Sequence, residues 1–259
     1  MSYKTIKTEI EDGALLLTLN RPEVRNALSM ELLTELWEAL KSAEDDNAVD
    51  VIILTGEGKA FSAGIDVNDF KHFKVSDDDP EYTELLKGVD AFDLLFNMKK
   101  PTIAAVNGYA ITGAFELVLR CDIIIASEDA SFADTHAVVG IVPGGGMTQL
   151  LSRLIGIQKA KELSFTGQFI NANDALNFGL VSRVVPRDEL IDTAKFLAQM
   201  IRKTNQNALH KIKEIIDRGY RLPLKEALEL EKEEFTRWRK TIDVMMSEGA
   251  LKKMTKEKK

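Results

Sequence analysis

Between Lys100 and Glu116 the chain reads KPTIAAVNGYAITGAFE: an apolar run suited to a buried strand, a turn, and a glycine opening a short helix that carries a carboxylate. The N–H of a glycine at a helix start has no intrahelical partner, and the helix dipole makes that spot attractive to a developing negative charge. Gly113 is therefore a candidate oxyanion-hole donor. Over three residues a helix rises about 4.5 Å and turns most of the way round, so Glu116 can face the same small volume. The same letters also fit a plain strand, turn and helix, with Gly113 permitting close packing and Glu116 a solvated first-turn acid.

A second stretch repeats the architecture. Directly after the strand-like run Val51–Thr55, residues Gly56–Asp69 read GEGKAFSAGIDVND: a strand, a small-residue loop, then an acid able to cap a helix. Two such loops can offer two backbone N–H groups to one carbonyl oxygen. Around them the pattern is that of an α/β fold. Alternation at Ile6, Thr8 and Ile10, a turn at Asp12–Gly13 and the run Leu15–Leu19 predict an opening hairpin. Ser29 suits the N-cap of a helix from about Met30 to Glu44, where Leu32, Leu33, Leu36, Trp37 and Leu40 recur at helical spacing. Strands are expected at about Val49–Thr55 and Thr102–Val106. After about Thr193 the pattern is helical, with Pro223 opening the last long helix. That gives a core over 1–192 and a helical region over 193–259.

Composition narrows the function. With 259 residues, 45% hydrophobic and 29% charged, the chain can bury a sizeable core. No apolar run approaches the roughly 20 residues of a membrane span, and the start MSYKTIKTEIEDG lacks a signal-peptide core, so a cytoplasmic location is expected. The single Cys121 excludes an intrachain disulfide and suits a buried structural thiol. Three histidines and one cysteine without close ligand spacing argue against a metal site. A net charge of −7 disfavours nucleic-acid binding. The polar, acidic stretch from Phe70 to Gly88 reads as a lid edge or a solvated insertion, and LKKMTKEKK at the end as a solvated tail.

Four motifs, in order, resemble the crotonase (enoyl-CoA hydratase/isomerase) superfamily: NRPEVRNALS at Asn20–Ser29, KAFSAGIDVND at Lys59–Asp69, KPTIAAVNGYAITGAFELVLRCDIIIAS at Lys100–Ser127, and FADTHAVVGIVPGGGMTQLLSRLIG at Phe132–Gly156. The likeness continues through GLVSRVV at Gly179–Val185. It implies a spiral of ββα units with C-terminal helices that build a homotrimer or dimer of trimers. It implies an acyl-CoA thioester as substrate, with no other cofactor, while the charge and the lack of a long apolar run argue against a nucleic-acid or membrane partner. The enolate-holding amides fall on Ile65 and Gly113. The coenzyme A contacts fall on Ala63, Gly64, Ile65, Asp66, Val67 and Asn68, with Arg25 a candidate phosphate contact. Asp66 also reads as the N-cap of the helix that follows.

Glu116 matches the first catalytic glutamate of the family. The second should stand four residues before Gly140, where this chain has His136. A histidine there is similar to the C–C bond hydrolase branch, which pairs it with an aspartate just after a Pro-Gly step. Here Pro143 and Gly144 are followed by Gly145. The main expectation is enoyl-CoA hydratase-like chemistry using Glu116 and His136. The alternatives are a hydrolase of a β-keto acyl compound and a non-catalytic member that binds coenzyme A or RNA. A working His136 should titrate away from its ordinary value near 6.5, upward if the Glu116 charge dominates and downward if burial does.

Overall fold

The computed structural model describes residues 3–69 and 91–241. β1 (Ile6–Glu11) and β2 (Ala14–Leu19) form the expected antiparallel hairpin, with Ile6 opposite Leu19. Asp12 and Gly13 turn it at φ of 46° and 70°, the positive values a tight hairpin turn requires. The alternation on β1 marks no buried face: Ile6 is buried but Ile10 is exposed. β1 is an edge strand, paired only with β2, so little covers its far end. The next helix, α1 (Met30–Asp45), starts where Ser29 accepts a hydrogen bond from the Leu32 N–H at 3.2 Å. Its apolar stripe buries Leu32, Leu33, Leu36 and Leu40, with Trp37 partly covered.

Two sheets follow from a repeated unit. β3 (Val51–Gly56) and β4 (Ala60–Ser62) are consecutive, as are β5 (Thr102–Val106) and β6 (Tyr109–Ile111), then β7 (Ile123–Ser127) and β8 (Ser131–Ala133). The first strand of each pair joins a six-stranded sheet ordered β1-β2-β3-β5-β7-β10, where β10 is Arg183–Val185. The second joins a four-stranded sheet ordered β4-β6-β8-β9, where β9 is Ile170–Asn171. β6 leads directly into α2 (Gly113–Leu119), and a loop after β8 leads into α3 (Met147–Ile155) and α4 (Ile157–Thr166). This is the ββα repeat expected from the resemblance. β3, β5 and β7 are parallel and predominantly apolar because both faces of the large sheet are covered. One face meets α1 and α2; the other meets α6 (Leu190–Arg202), whose Leu190, Ala194, Leu197 and Ala198 pack on Val51, Ile53, Ile103, Ala105 and Ile125. The short α5 (Ala172–Asn177) starts at an Asn171 cap. Cys121 is buried and free.

The chain divides into two compact units, Met1–Gln206 and Asn207–Lys259. The second is described through α7 (Gln206–Gly219) and α8 (Leu224–Thr241). Pro223 stands at the start of α8, its carbonyl accepting from the Ala227 N–H at 3.0 Å. Neither helix carries a buried apolar residue, and Ile212, Ile216, Leu228 and Phe235 are more than half exposed. Among the described residues of this unit the one buried side chain, Glu234, is ion-paired to Lys211, Arg218 and Arg237 at 3.5, 3.2 and 2.6 Å. Among the described residues no helix is long and apolar enough to cross a membrane. The expected lid edge between Phe70 and Gly88 and the lysine-rich end lie outside the described residues.

Candidate active site

Gly64 sits at φ +95°, and a Cβ on it would lie 2.7 Å from the carbonyl oxygen of Ile111. Only glycine meets both demands. Leu28 then bonds the chain on either side of Ile65: its N–H donates to Gly64 O at 2.8 Å, and its carbonyl accepts from Asp66 N–H at 3.0 Å. In such a parallel bridge the N–H of Ile65 points away from Leu28. It points toward α2: a Cβ built on Gly113 would lie 3.6 Å from Ile65 N, and one on Gly64 would lie 3.6 Å from Gly113 N. Among the described residues neither N–H donates to a protein acceptor. The two loops singled out in the sequence therefore meet, with two free donors side by side.

The peptide between Thr112 and Gly113 is held in an unusual way. Thr112 has φ 55° and ψ −112°, the conformation of the first central residue of a type II′ turn, where glycine dominates. For a β-branched residue this is an outlier, worth about 1–3 kcal/mol of strain. Its partners are in place. The Thr112 N–H donates to Ala133 O at 2.8 Å, its carbonyl accepts from Glu116 N–H at 3.0 Å, and its Oγ1 lies 2.5 Å from Thr135 Oγ1.

One turn past Gly113, Glu116 is 4% exposed in a helix whose seven residues are all buried. A buried carboxylate needs partners. The Met147 N–H donates to its Oε1 at 3.1 Å, and His136 Nε2 lies 3.5 Å from its Oε2. The other ring nitrogen, Nδ1, is 2.6 Å from Asp134 Oδ1. His136 and Asp134 are also buried. Burial pushes the imidazole down, but its bond to Asp134 and the nearby Glu116 carboxylate outweigh this and raise it to about 9. Of the two directions left open by the sequence, the structure gives the upward one. Burial likewise pushes Asp134 up, and the bonds from His136 and Ser164 more than reverse it, leaving Asp134 below its ordinary value. Asp134, His136 and Glu116 thus form a line in which an imidazolium at neutral pH bridges two carboxylates.

The aspartate that the hydrolase branch carries after its Pro-Gly step has no room here. A Cβ on Gly145 would lie 2.8 Å from Glu116 Oε2, so a side chain at that position displaces the glutamate. The ring partner comes instead from Asp134. It stands two residues before His136, a spacing that puts both on one side of an extended chain.

The remaining residues singled out in the sequence lie along one rim. Val67 and Asn68 are exposed, and Ala63 is partly exposed beside them. Arg25 is exposed at φ 54°, and its carbonyl accepts the Ala63 N–H at 2.9 Å, which brings the two loops together. Asp66 turns inward. It accepts from Asn68 N–H at 3.1 Å, the bond a capping aspartate makes, and pairs with Arg21 at 2.9 Å. Burial raises Asp66, and Arg21 with the Asn68 bonds brings it below its ordinary value. Sequence reasoning missed Arg21, and also Asn26, whose buried amide donates to Glu57 O and Ala60 O at 2.9 Å each and ties the two loops. Among the described residues no group of three or more His, Cys, Asp or Glu side chains is arranged to hold a metal ion.

Two apposed loop amides followed by a helix with a buried glutamate define a crotonase-fold protein, and comparison with known proteins agrees. The family model "Enoyl-CoA hydratase/isomerase" matches residues 9–258, and the chain belongs to that family. It is 39% identical over 235 residues to a probable peroxisomal enoyl-CoA hydratase of Arabidopsis thaliana, covering 90% of this chain and 86% of that one. It is 39% identical over 236 residues to the short-chain-enoyl-CoA hydratase of Clostridium acetobutylicum, covering 91% and 89%. The crystal structure of enoyl-CoA hydratase from Bacillus anthracis superposes with a TM-score of 0.88 at 34% identity, covering 97% of each chain.

Proposed function

We propose that the protein adds water to the double bond of an enoyl-CoA thioester, and removes it in reverse. The observation that carries this reading is the Glu116–His136 pair, 3.5 Å apart and buried, one helical turn from the Ile65 and Gly113 amides. Glu116 as carboxylate takes a proton from water while the oxygen bonds to Cβ. The electron pair of the double bond moves onto the thioester oxygen, where the two N–H groups stabilise the enolate. The enolate then collapses, and His136 Nε2 delivers its proton to Cα. Glu116 is left protonated and His136 neutral, and proton return between them resets the site. A histidine protonated at neutral pH suits the donor role that the family gives to a second glutamate.

The Ile65–Asn68 rim and Arg25 would hold the coenzyme A portion, which enters as part of the substrate with no separate cofactor. The exposed apolar positions of α7 and α8 support a homotrimer or dimer of trimers. The lone free cysteine supports a cytoplasmic location, and the net charge of −7 speaks against nucleic acid.

A second reading, hydrolysis of a β-keto acyl compound, is favoured by one observation, the 2.6 Å Asp134–His136 contact. It asks His136 to act as a base, which a histidine raised to about 9 does poorly at neutral pH. The test is incubation with crotonyl-CoA and a panel of other acyl-CoAs, with products resolved by mass. Gain of one water on the enoyl-CoA supports the hydratase. Cleavage of a β-keto substrate with no hydration supports the hydrolase, and turnover of neither supports a binding protein.

A further inference from the structure

The Thr112 conformation is unexplained by folding alone. Glycine would take φ 55° without a steric penalty, yet the chain places a β-branched residue there. What threonine adds is a hydroxyl, and that hydroxyl meets Thr135 Oγ1 at 2.5 Å and lies 3.3 Å from the Thr135 N–H. Thr135 lies between Asp134 and His136, so one tripeptide touches both the oxyanion turn and the proton-transferring line.

The geometry of a trans peptide makes this contact matter. The C=O of Thr112 and the N–H of Gly113 share one rigid plane and point in opposite directions. The Glu116 N–H holds the carbonyl at 3.0 Å and the Ala133 carbonyl holds the Thr112 N–H at 2.8 Å. The hydroxyl fixes the remaining freedom of the turn. With it in place the Gly113 N–H is aimed beside that of Ile65.

We propose that Thr112 and Thr135 are positioning residues whose hydroxyl pair aims the Gly113 amide at the thioester oxygen and ties that aim to the strap carrying His136. The proposal rests on the oxyanion role of Gly113 and Ile65, and deepens it by naming what holds one donor in line.

The experiment compares Thr135→Val, Thr135→Ser, Thr112→Gly and the Thr112→Gly/Thr135→Val pair, each checked for folding by circular dichroism. Two readouts are taken: crotonyl-CoA hydration, and the carbonyl stretch of bound butyryl-CoA, which shifts when donors polarise the thioester. Thr112→Gly is the variant least exposed to misfolding, because the turn suits glycine.

Thr135→Val and Thr112→Gly should each lower kcat about 10- to 100-fold with KM within about threefold, and should weaken the carbonyl shift. Thr135→Ser should restore both readouts. The double variant should be no slower than the worse single one, since both changes break the same tether. A Thr112→Gly enzyme with the parent's kcat and carbonyl frequency overturns the proposal, as does a fully additive double variant. If the parent polarises butyryl-CoA without hydrating crotonyl-CoA, the hydratase reading fails and the carbonyl shifts of the variants decide the positioning role alone. A parent that binds butyryl-CoA with no carbonyl shift, or does not bind it, overturns the proposal.

Discussion

Among the described residues each compact unit buries one glutamate, and the two are surrounded differently. Glu234, in the helical unit, is held by Lys211, Arg218 and Arg237. Glu116, in the α/β unit, has one backbone N–H and one imidazole. A carboxylate held by several cations is a clamp, here tying Lys211 and Arg218 of α7 to α8. A carboxylate facing a single titratable partner can pass a proton to it. The apolar surfaces contrast in the same way. The α/β unit has an apolar core that includes Leu32, Leu36, Ile53 and Ile103, whereas α7 and α8 leave Ile212, Ile216, Leu228 and Phe235 in the open.

Exchanging the two glutamates for glutamine breaks the comparison most sharply. Glu116→Gln should lower kcat by about 10²–10⁴-fold while acyl-CoA binding stays near the parent's, measured by steady-state kinetics and direct titration. Turnover within about threefold of the parent would remove Glu116 from the chemistry. Next in size is Gly64→Ala, in which the φ of +95° and the 2.7 Å approach to Ile111 O both resist a Cβ. Loss of the Ile65 donor should cost about 10²–10³-fold in kcat in a variant whose circular dichroism is otherwise native.

Asp134→Asn tests the line of three groups. Without the aspartate charge the His136 value falls, so the alkaline limb of the rate profile, expected near 9 in the parent, should move down. A shift of about one pH unit would lower the rate about fivefold near pH 9, the parent's limb, and approach tenfold above it. Stability follows the same signs. Because His136 is raised above its unfolded value, its contribution is fully present below about pH 6.5 and is lost as pH rises through about 9. Asp134 is lowered, so its contribution is present above its unfolded value and is lost in acid. Thermal melts across pH read both. The smallest effect belongs to Glu234→Gln, which should cost about 1 kcal/mol because its cationic partners are partly solvated, with kcat within about threefold.

Much of this was legible in the sequence where the signal is local. The Asp12–Gly13 turn, the Ser29 cap and the stripe from Leu32 to Leu40 are short-range patterns, and each formed as its chemistry dictates. The two small-residue loops were visible as a pair, though their meeting depends on the Leu28 bridge, which no spacing encodes. Gly113 drew attention as the special backbone position, yet the positive φ falls on Thr112, since the turn is stabilised by Thr135 and Ala133 from β8 and the loop beyond it. Asp134 is close to His136 in sequence, and the D-x-H spacing carries their contact, because residues two apart in an extended segment share a face. Arg21 was not singled out, because only packing brings its guanidinium to Asp66.

In the proposed reaction His136, held as an imidazolium by Asp134 and Glu116, supplies the proton that completes hydration. The most direct measurement is the pH dependence of kcat for crotonyl-CoA hydration by the parent and by His136→Ala. The parent rate should fall above about pH 9, and the variant should be at least about 10²-fold slower and lack that limb. A His136→Ala enzyme that keeps both the parent's rate and its alkaline limb would contradict it.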